Sequence, residues 1–96
     1  MIYLEHQGSR IATFEVIESD QPWLRCTFTP SIEFREHEKF FKDFQDAYQN
    51  KEYEDLDDHF SKLTDRGYRL VSGRRESVRF TLILERQQAR LRAHFA

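Results

Sequence analysis

The sequence predicts an α+β domain. It has a mostly antiparallel sheet of about six strands, in the order βββ-αα-βββ, with a helical hairpin on one face. Two observations carry that expectation. Both ends of the chain alternate apolar and polar residues, as half-buried strands do. The middle instead repeats its aromatics at spacings of three and four, as an amphipathic helix does.

The first third reads as three strands. Residues 1–5 and 10–18 are rich in β-branched and aromatic side chains and flank "HQGS", a hairpin turn at Gly8. After the break "ESDQP", residues 23–29 form a third strand. In it Leu24, Cys26 and Phe28 take one face, and Trp23, Arg25 and Thr27 the other.

Pro30 ends that strand and Ser31 is placed to cap a helix. Phe34, His37, Phe41, Phe44 and Tyr48 make its apolar stripe, widened by Phe40 and Ala47. A second helix follows "QNKE", with Asn50 as its cap and Tyr53, Leu56, Phe60 and Leu63 as its stripe. Gly67 stands where a left-handed C-terminal cap belongs, with Tyr68 folding back on Leu63. The short break makes the helices antiparallel neighbours.

Strands return at 68–72, at 78–85 after the turn "GRRE", and at 89–95 after "RQQ". Val78, Phe80, Leu82 and Leu84 point inward, as do Ala89, Leu91, Ala93 and Phe95. Arg79, Arg90, Arg92 and His94 fall on the open face, with Glu5 and Glu15 brought towards them.

A chain of 96 residues is one domain, 1–96. Nine Phe, four Tyr and one Trp supply a core that needs no metal or disulfide. One Cys excludes an internal disulfide and a multi-cysteine zinc site, and a free thiol suits a reducing compartment. No apolar run is long enough for a membrane helix and none resembles a signal peptide, so a cytoplasmic setting is expected.

The net charge is only −2, but it is unevenly spread. Residues 31–66 carry six basic and eleven acidic side chains, whereas 67–96 carry seven basic, all Arg, and two acidic. This dichotomy is the main functional signal. The acidic surface is centred on Glu54, Asp55, Asp57 and Asp58, and suits a basic partner through charge complementarity. Its plainer account is a solvated helix face whose acids favour the helix dipole. The rival surface joins Trp23 and Arg25 to Arg79, Arg90, Arg92 and His94. There arginines would contact phosphates and Trp23 or Tyr3 would stack on bases. Its plainer account is cross-strand pairing with Glu5, Glu15 and Glu85, and a pI of about 6.1 is far from the basic norm for nucleic-acid binders. Ile83, apolar on that polar face, points to an interface such as a homodimer contact.

No catalytic signature or metal-ligand spacing is present, and no cofactor is implied. Asp55 with His59, and Glu33 with His37, are helix-spaced pairs too few to hold a metal. Cys26 shares parity with core residues and reads as a buried structural thiol.

Taken together, Pro22, Trp23, Phe28 and Pro30, the acidic helical pair, and Gly67, Arg69, Leu70 and Val71 resemble a family of short, uncharacterised bacterial proteins. Those have acidic, Asp-Gly-rich final turns where this chain has "ERQQAR". The resemblance implies no activity, cofactor or catalytic residue. The expected function is a non-catalytic protein-binding domain, immunity- or antitoxin-like or homodimeric. Nucleic-acid binding through the Arg-bearing face, and a small enzyme or ligand binder, are the alternatives.

Overall fold

The structure is a computed structural model and describes residues 1–20, 22–52, 55–77 and 79–95. The expected core positions Tyr53 and Val78 lie outside the described residues, and so does the side chain of Leu56. The chain forms seven strands and two α-helices: β1 (Ile2–His6), β2 (Ser9–Asp20), β3 (Trp23–Pro30), α1 (Glu38–Gln49), α2 (Leu56–Asp65), β4 (Tyr68–Ser72), β5 (Arg75–Ser77), β6 (Phe80–Glu85) and β7 (Gln88–Ala93). All seven strands lie in one antiparallel sheet, ordered β5-β4-β1-β2-β3-β7-β6.

The first three strands run as a meander. Gln7 and Gly8 turn β1 into β2 with φ of 51° and 85°. Two positive φ values match a turn to the twist of a hairpin, and Gly accepts the second without strain. After the helices the chain returns to both flanks. β4 pairs with β1, and the β6–β7 hairpin crosses over to pair with β3.

The inward faces are those the alternation predicts. Leu4, Phe14, Cys26, Leu70, Leu82 and Leu91 are buried, and α1 and α2 cover them with Phe41, Phe44, Phe60 and Leu63. Two irregularities bend β2. Ile11 is an extra residue opposite β1, so that Ile11 and Ala12 are both buried in succession, and Ile17 is an extra residue opposite β3. Each bulge adds local twist and flips the faces that follow.

The sheet curls until its two flanks meet. Ser77 of β5 is buried, and its hydroxyl donates to the Arg79 carbonyl at 2.7 Å and accepts the His94 N–H at 3.3 Å. The free edge of β6 is closed by α1. Gln45 accepts the Leu84 N–H at 2.7 Å and donates its amide to the Leu84 carbonyl. One side chain thus takes the place of a neighbouring strand at that residue, and so removes a template for unwanted pairing.

Four expectations change. The sheet has a seventh strand, because only Gly73 and Arg74 form the turn assigned to "GRRE" and Arg75–Ser77 pairs back on β4. The first helix is broken. Ile32–Glu36 is a tighter 3-10 turn, and α1 starts beyond His37. Ser31 does not cap it, since its hydroxyl donates back to the carbonyls of Arg10 and Ile11, tying the strand exit to β2. Asn50 ends α1 instead of opening α2. Gly67 keeps its expected left-handed conformation at φ 87°.

Candidate functional site

The ten candidate surface residues separate into three groups. The first lies on the outer face at the middle of the sheet. Arg25 stands opposite Arg90 across β3 and β7, and Trp23 lies near them, half-buried, with the Arg90 guanidinium 5.8 Å from its ring centre. Both arginines are matched. Arg25 pairs with Glu18 at 2.8 Å and Arg90 with Glu85 at 3.1 Å. The bulge at Ile17 makes Glu18, not Ile17, the residue opposite Arg25, and Glu15 stands opposite Thr27. Tyr3, the other aromatic of this face, has the Arg10 guanidinium 3.9 Å over its ring, and Arg10 pairs in turn with Glu5. The stacking surfaces are therefore already covered by the protein's own arginines. Ile83 is not the exposed apolar spot its parity suggested. It is only 3% exposed, outside the main core cluster, with Arg90 as its cross-strand neighbour. Long arginine stems on such a face cover apolar surface while their heads stay in water.

The second group is the acidic segment. Glu54 and the side chain of Asp57 lie outside the described residues. The Asp55 carboxylate accepts the Asp58 N–H at 3.3 Å and so caps the start of α2, while the Asp58 carbonyl accepts the Ser61 hydroxyl at 2.7 Å. Asp55 is thus used by its own helix. His59, four residues on, is not beside it on the surface. It is buried and stacked on Phe44 at 4.1 Å. Among the described residues no cluster of three or more His, Cys, Asp or Glu is placed to hold a metal.

The third group is different. Arg79, Arg92 and His94 line a cleft of about 400 Å³ at the Phe80 end of the β6 edge. α2 forms the other wall with Phe60, Thr64 and Asp65, and Phe80 and Thr81 complete the strand side. Thr81 pairs with Arg92 and Phe80 with Ala93, where the β6–β7 ladder ends, and Arg79 and His94 are the next residue on each side. Among the described residues Arg79 and Arg92 have no carboxylate partner, as is also so of Arg35, Arg66, Arg74, Arg75 and Arg86, whereas Arg10, Arg25, Arg69 and Arg90 each have one. The cleft sets two cations against the single carboxylate of Asp65, so an anion bound there lowers the energy. Ser77 fixes its backbone by bonding at Arg79 and at His94.

One cluster was not visible in the sequence. His6, His37 and Tyr68 come from β1, the start of α1 and β4, and meet at one corner. The Tyr68 hydroxyl and His37 Nδ1 are 2.6 Å apart, and the two imidazoles lie 4.6 Å apart. His6 donates from Nε2 to the Arg66 carbonyl at 2.9 Å. Burial and the neighbouring His6 push the His37 pKa down, and burial pushes the Tyr68 phenol up. Phe40 stacks on the Tyr68 ring at 5.4 Å, and Phe41 meets it edge-on at 4.9 Å. The cluster locks three elements together and places no polar group in the cleft. No spacing could have revealed it, since the β1–β4 pairing joins His6 to Tyr68 and the packing of α1 on the sheet adds His37.

Cys26 is fully buried and its thiol pKa is raised by burial, the opposite of what a nucleophile needs. No helix among the described residues is long and apolar enough to cross a membrane. In comparisons with known proteins, the chain matches no family model, no curated protein and no solved structure. The fold and its cleft define a class all the same: a curled antiparallel sheet closed by a helical hairpin, with one cationic cleft at the sheet's edge.

Proposed function

We propose that the chain is a small, non-catalytic protein-binding domain of bacterial, cytoplasmic type, and that it holds an acidic group of its partner in the Arg79–Arg92–His94 cleft. One observation carries the reading. Arg79 and Arg92 line one cleft and neither has an ion-pair partner among the described residues, while Arg90, on the same hairpin, has Glu85; Asp65 is the acidic residue on the opposite, α2 side of the cleft. Like charges left together cost stability, and a bound anion returns it. Charge complementarity of this kind also speeds encounter and selects the partner. The buried thiol and the chain's modest size fit the same setting but do not choose the partner.

The acidic helices remain a surface for a basic partner, as an immunity- or antitoxin-like inhibitor would use. Asp55, however, already serves as the α2 cap. The outer sheet face, with Arg25 and Arg90 ion-paired and Trp23 and Tyr3 beneath arginines, speaks less for nucleic acid than the bare sequence does.

The test compares affinity capture from source cells by the natural chain and by the double variant Arg79→Glu, Arg92→Glu. The reading expects a stoichiometric partner held by the first and lost by the second. Equal capture by both chains overturns it, and so does a mass in solution that shows self-association through this cleft alone.

A further inference from the structure

We infer that the anion taken by this cleft is a phosphate monoester. The inference rests on the cleft's role as the recognition point and adds the chemistry of what it recognises.

The argument begins with how this fold treats a carboxylate. Glu5, Glu18, Glu76 and Glu85 each meet one arginine, at 2.8–3.6 Å. A planar carboxylate is well served by one guanidinium fork. The cleft brings more than that. Arg79, Thr81, Arg92 and His94 all line it. They offer two guanidinium forks, an imidazole and a hydroxyl. A carboxylate has two oxygens to place among them. A phosphate monoester has three terminal oxygens, arranged as a tripod, and carries a charge of about −1.5 to −2 near neutral pH. It can engage both forks and still reach a third donor.

The opposite wall sets the rest of the ligand. Phe60 and Phe80 give an apolar side against which the carbon atoms bearing the phosphate can lie. Asp65 stands on the α2 side and opposes a lone anion. It suits a ligand that carries a donor beside its phosphate, as the backbone N–H of a phosphorylated residue is. Asp65 is also the last residue of α2, where a negative charge is disfavoured by the helix dipole. Its charge therefore does not support the helix, and its neutralisation tests the cleft.

The experiment is a backbone-amide NMR titration of the whole chain with three probes. These are an N-acetylated, C-amidated Gly-phosphoserine-Gly peptide, the same peptide with Glu in the middle, and adenosine 5′-monophosphate. The expected result is saturable shifts centred on Arg79, Thr81, Arg92 and His94, with the phosphopeptide at least about tenfold tighter than the Glu peptide. Arg79→Gln and Arg92→Gln should each weaken it by about tenfold or more, since each removes a charge-assisted fork. Asp65→Asn should tighten it. A Glu peptide that binds as well, shifts centred elsewhere, or arginine variants that bind unchanged overturn the inference. Adenosine monophosphate binding as tightly as the phosphopeptide keeps the phosphate chemistry but assigns it to free nucleotides.

Phosphatase treatment of the captured partner separates this inference from the reading beneath it. Release by phosphatase supports both. A partner lost by the arginine variants but retained after phosphatase leaves the docking surface standing and removes the phosphate.

Discussion

The hydroxyl of Ser77 accepts the backbone N–H of His94 at 3.3 Å, and so ties a strand at one flank of the sheet to the chain end at the other. The same hydroxyl donates to the Arg79 carbonyl at 2.7 Å. One buried oxygen thus closes the curl and sets the backbone of two cleft residues. Ser77→Ala removes both bonds and leaves the part-buried His94 N–H and Arg79 C=O without that partner. We expect a loss of about 1–3 kcal/mol, the cost of an unmade buried hydrogen bond. Urea unfolding measures it directly. An unchanged midpoint would mean that the curl is held by side-chain packing alone.

Gln45 does comparable work at the open edge of β6, where its amide both accepts from and donates to Leu84. Gln45→Ala should cost about 1–2 kcal/mol. It should also raise self-association, because an uncovered strand edge is a template for pairing. Gln45→Glu distinguishes the two functions of the amide. The carboxylate still accepts the Leu84 N–H but sets a second acceptor against the Leu84 carbonyl, so it should be no better than Ala. Sedimentation velocity on the three chains reads the association. A monodisperse Ala variant of natural stability would show that the Gln45 contact is incidental.

How much of this was legible in the sequence varies by element. Inward-facing residues of β3, β6 and β7 follow from alternation, because a strand's period of two assigns faces without knowledge of its partner. β5 was missed because "RES" has no apolar pattern. It is a strand only through its backbone pairing with β4. The break at His37 was invisible because Phe34 and Phe41 are both buried, so the stripe runs on across the change from 3-10 to α geometry. Glu18 is the partner of Arg25 because of one extra residue, Ile17, which would otherwise stand opposite it, and a bulge cannot be read from parity. The cleft lies between these cases. Parity placed Arg79, Arg92 and His94 on one face, but only the tertiary fold sets Asp65 and Phe60 of α2 beside them.

Cys26 gives a direct check on the core. Its side chain is fully buried and its thiol pKa is raised by burial. A thiol reagent such as Ellman's should react with the native chain only as fast as the chain opens, and rapidly once urea unfolds it. Labelling of the native chain at the rate of a free thiol would show that β3 is not packed as described.

His37 and His59 make stability depend on pH, with a sign that can be worked out. Burial is the main cause that lowers the pKa of His37 below its ordinary 6.5, helped by the charge of His6 and opposed by Glu36. Burial also lowers His59, helped by Lys62 and opposed by a hydrogen bond with the Phe44 backbone. Both imidazoles are thus held neutral in the fold more strongly than in the unfolded chain. Below about pH 6.5 the unfolded chain binds more protons than the folded one, so stability rises with pH in that range. The contribution is complete above the unfolded value, is lost as pH falls through it, and levels off once the folded imidazoles are protonated too. Variants compared between about pH 7 and 5 separate the part due to these two histidines. His59→Phe preserves the stacking on Phe44 and removes one titration, and His37→Gln keeps an acceptor for the Tyr68 hydroxyl while it removes the other. Urea midpoints between pH 5 and 8 should fall on the acid side for the natural chain and flatten stepwise in the single and double variants. A double variant as steep as the natural chain would move the pH dependence away from these two residues.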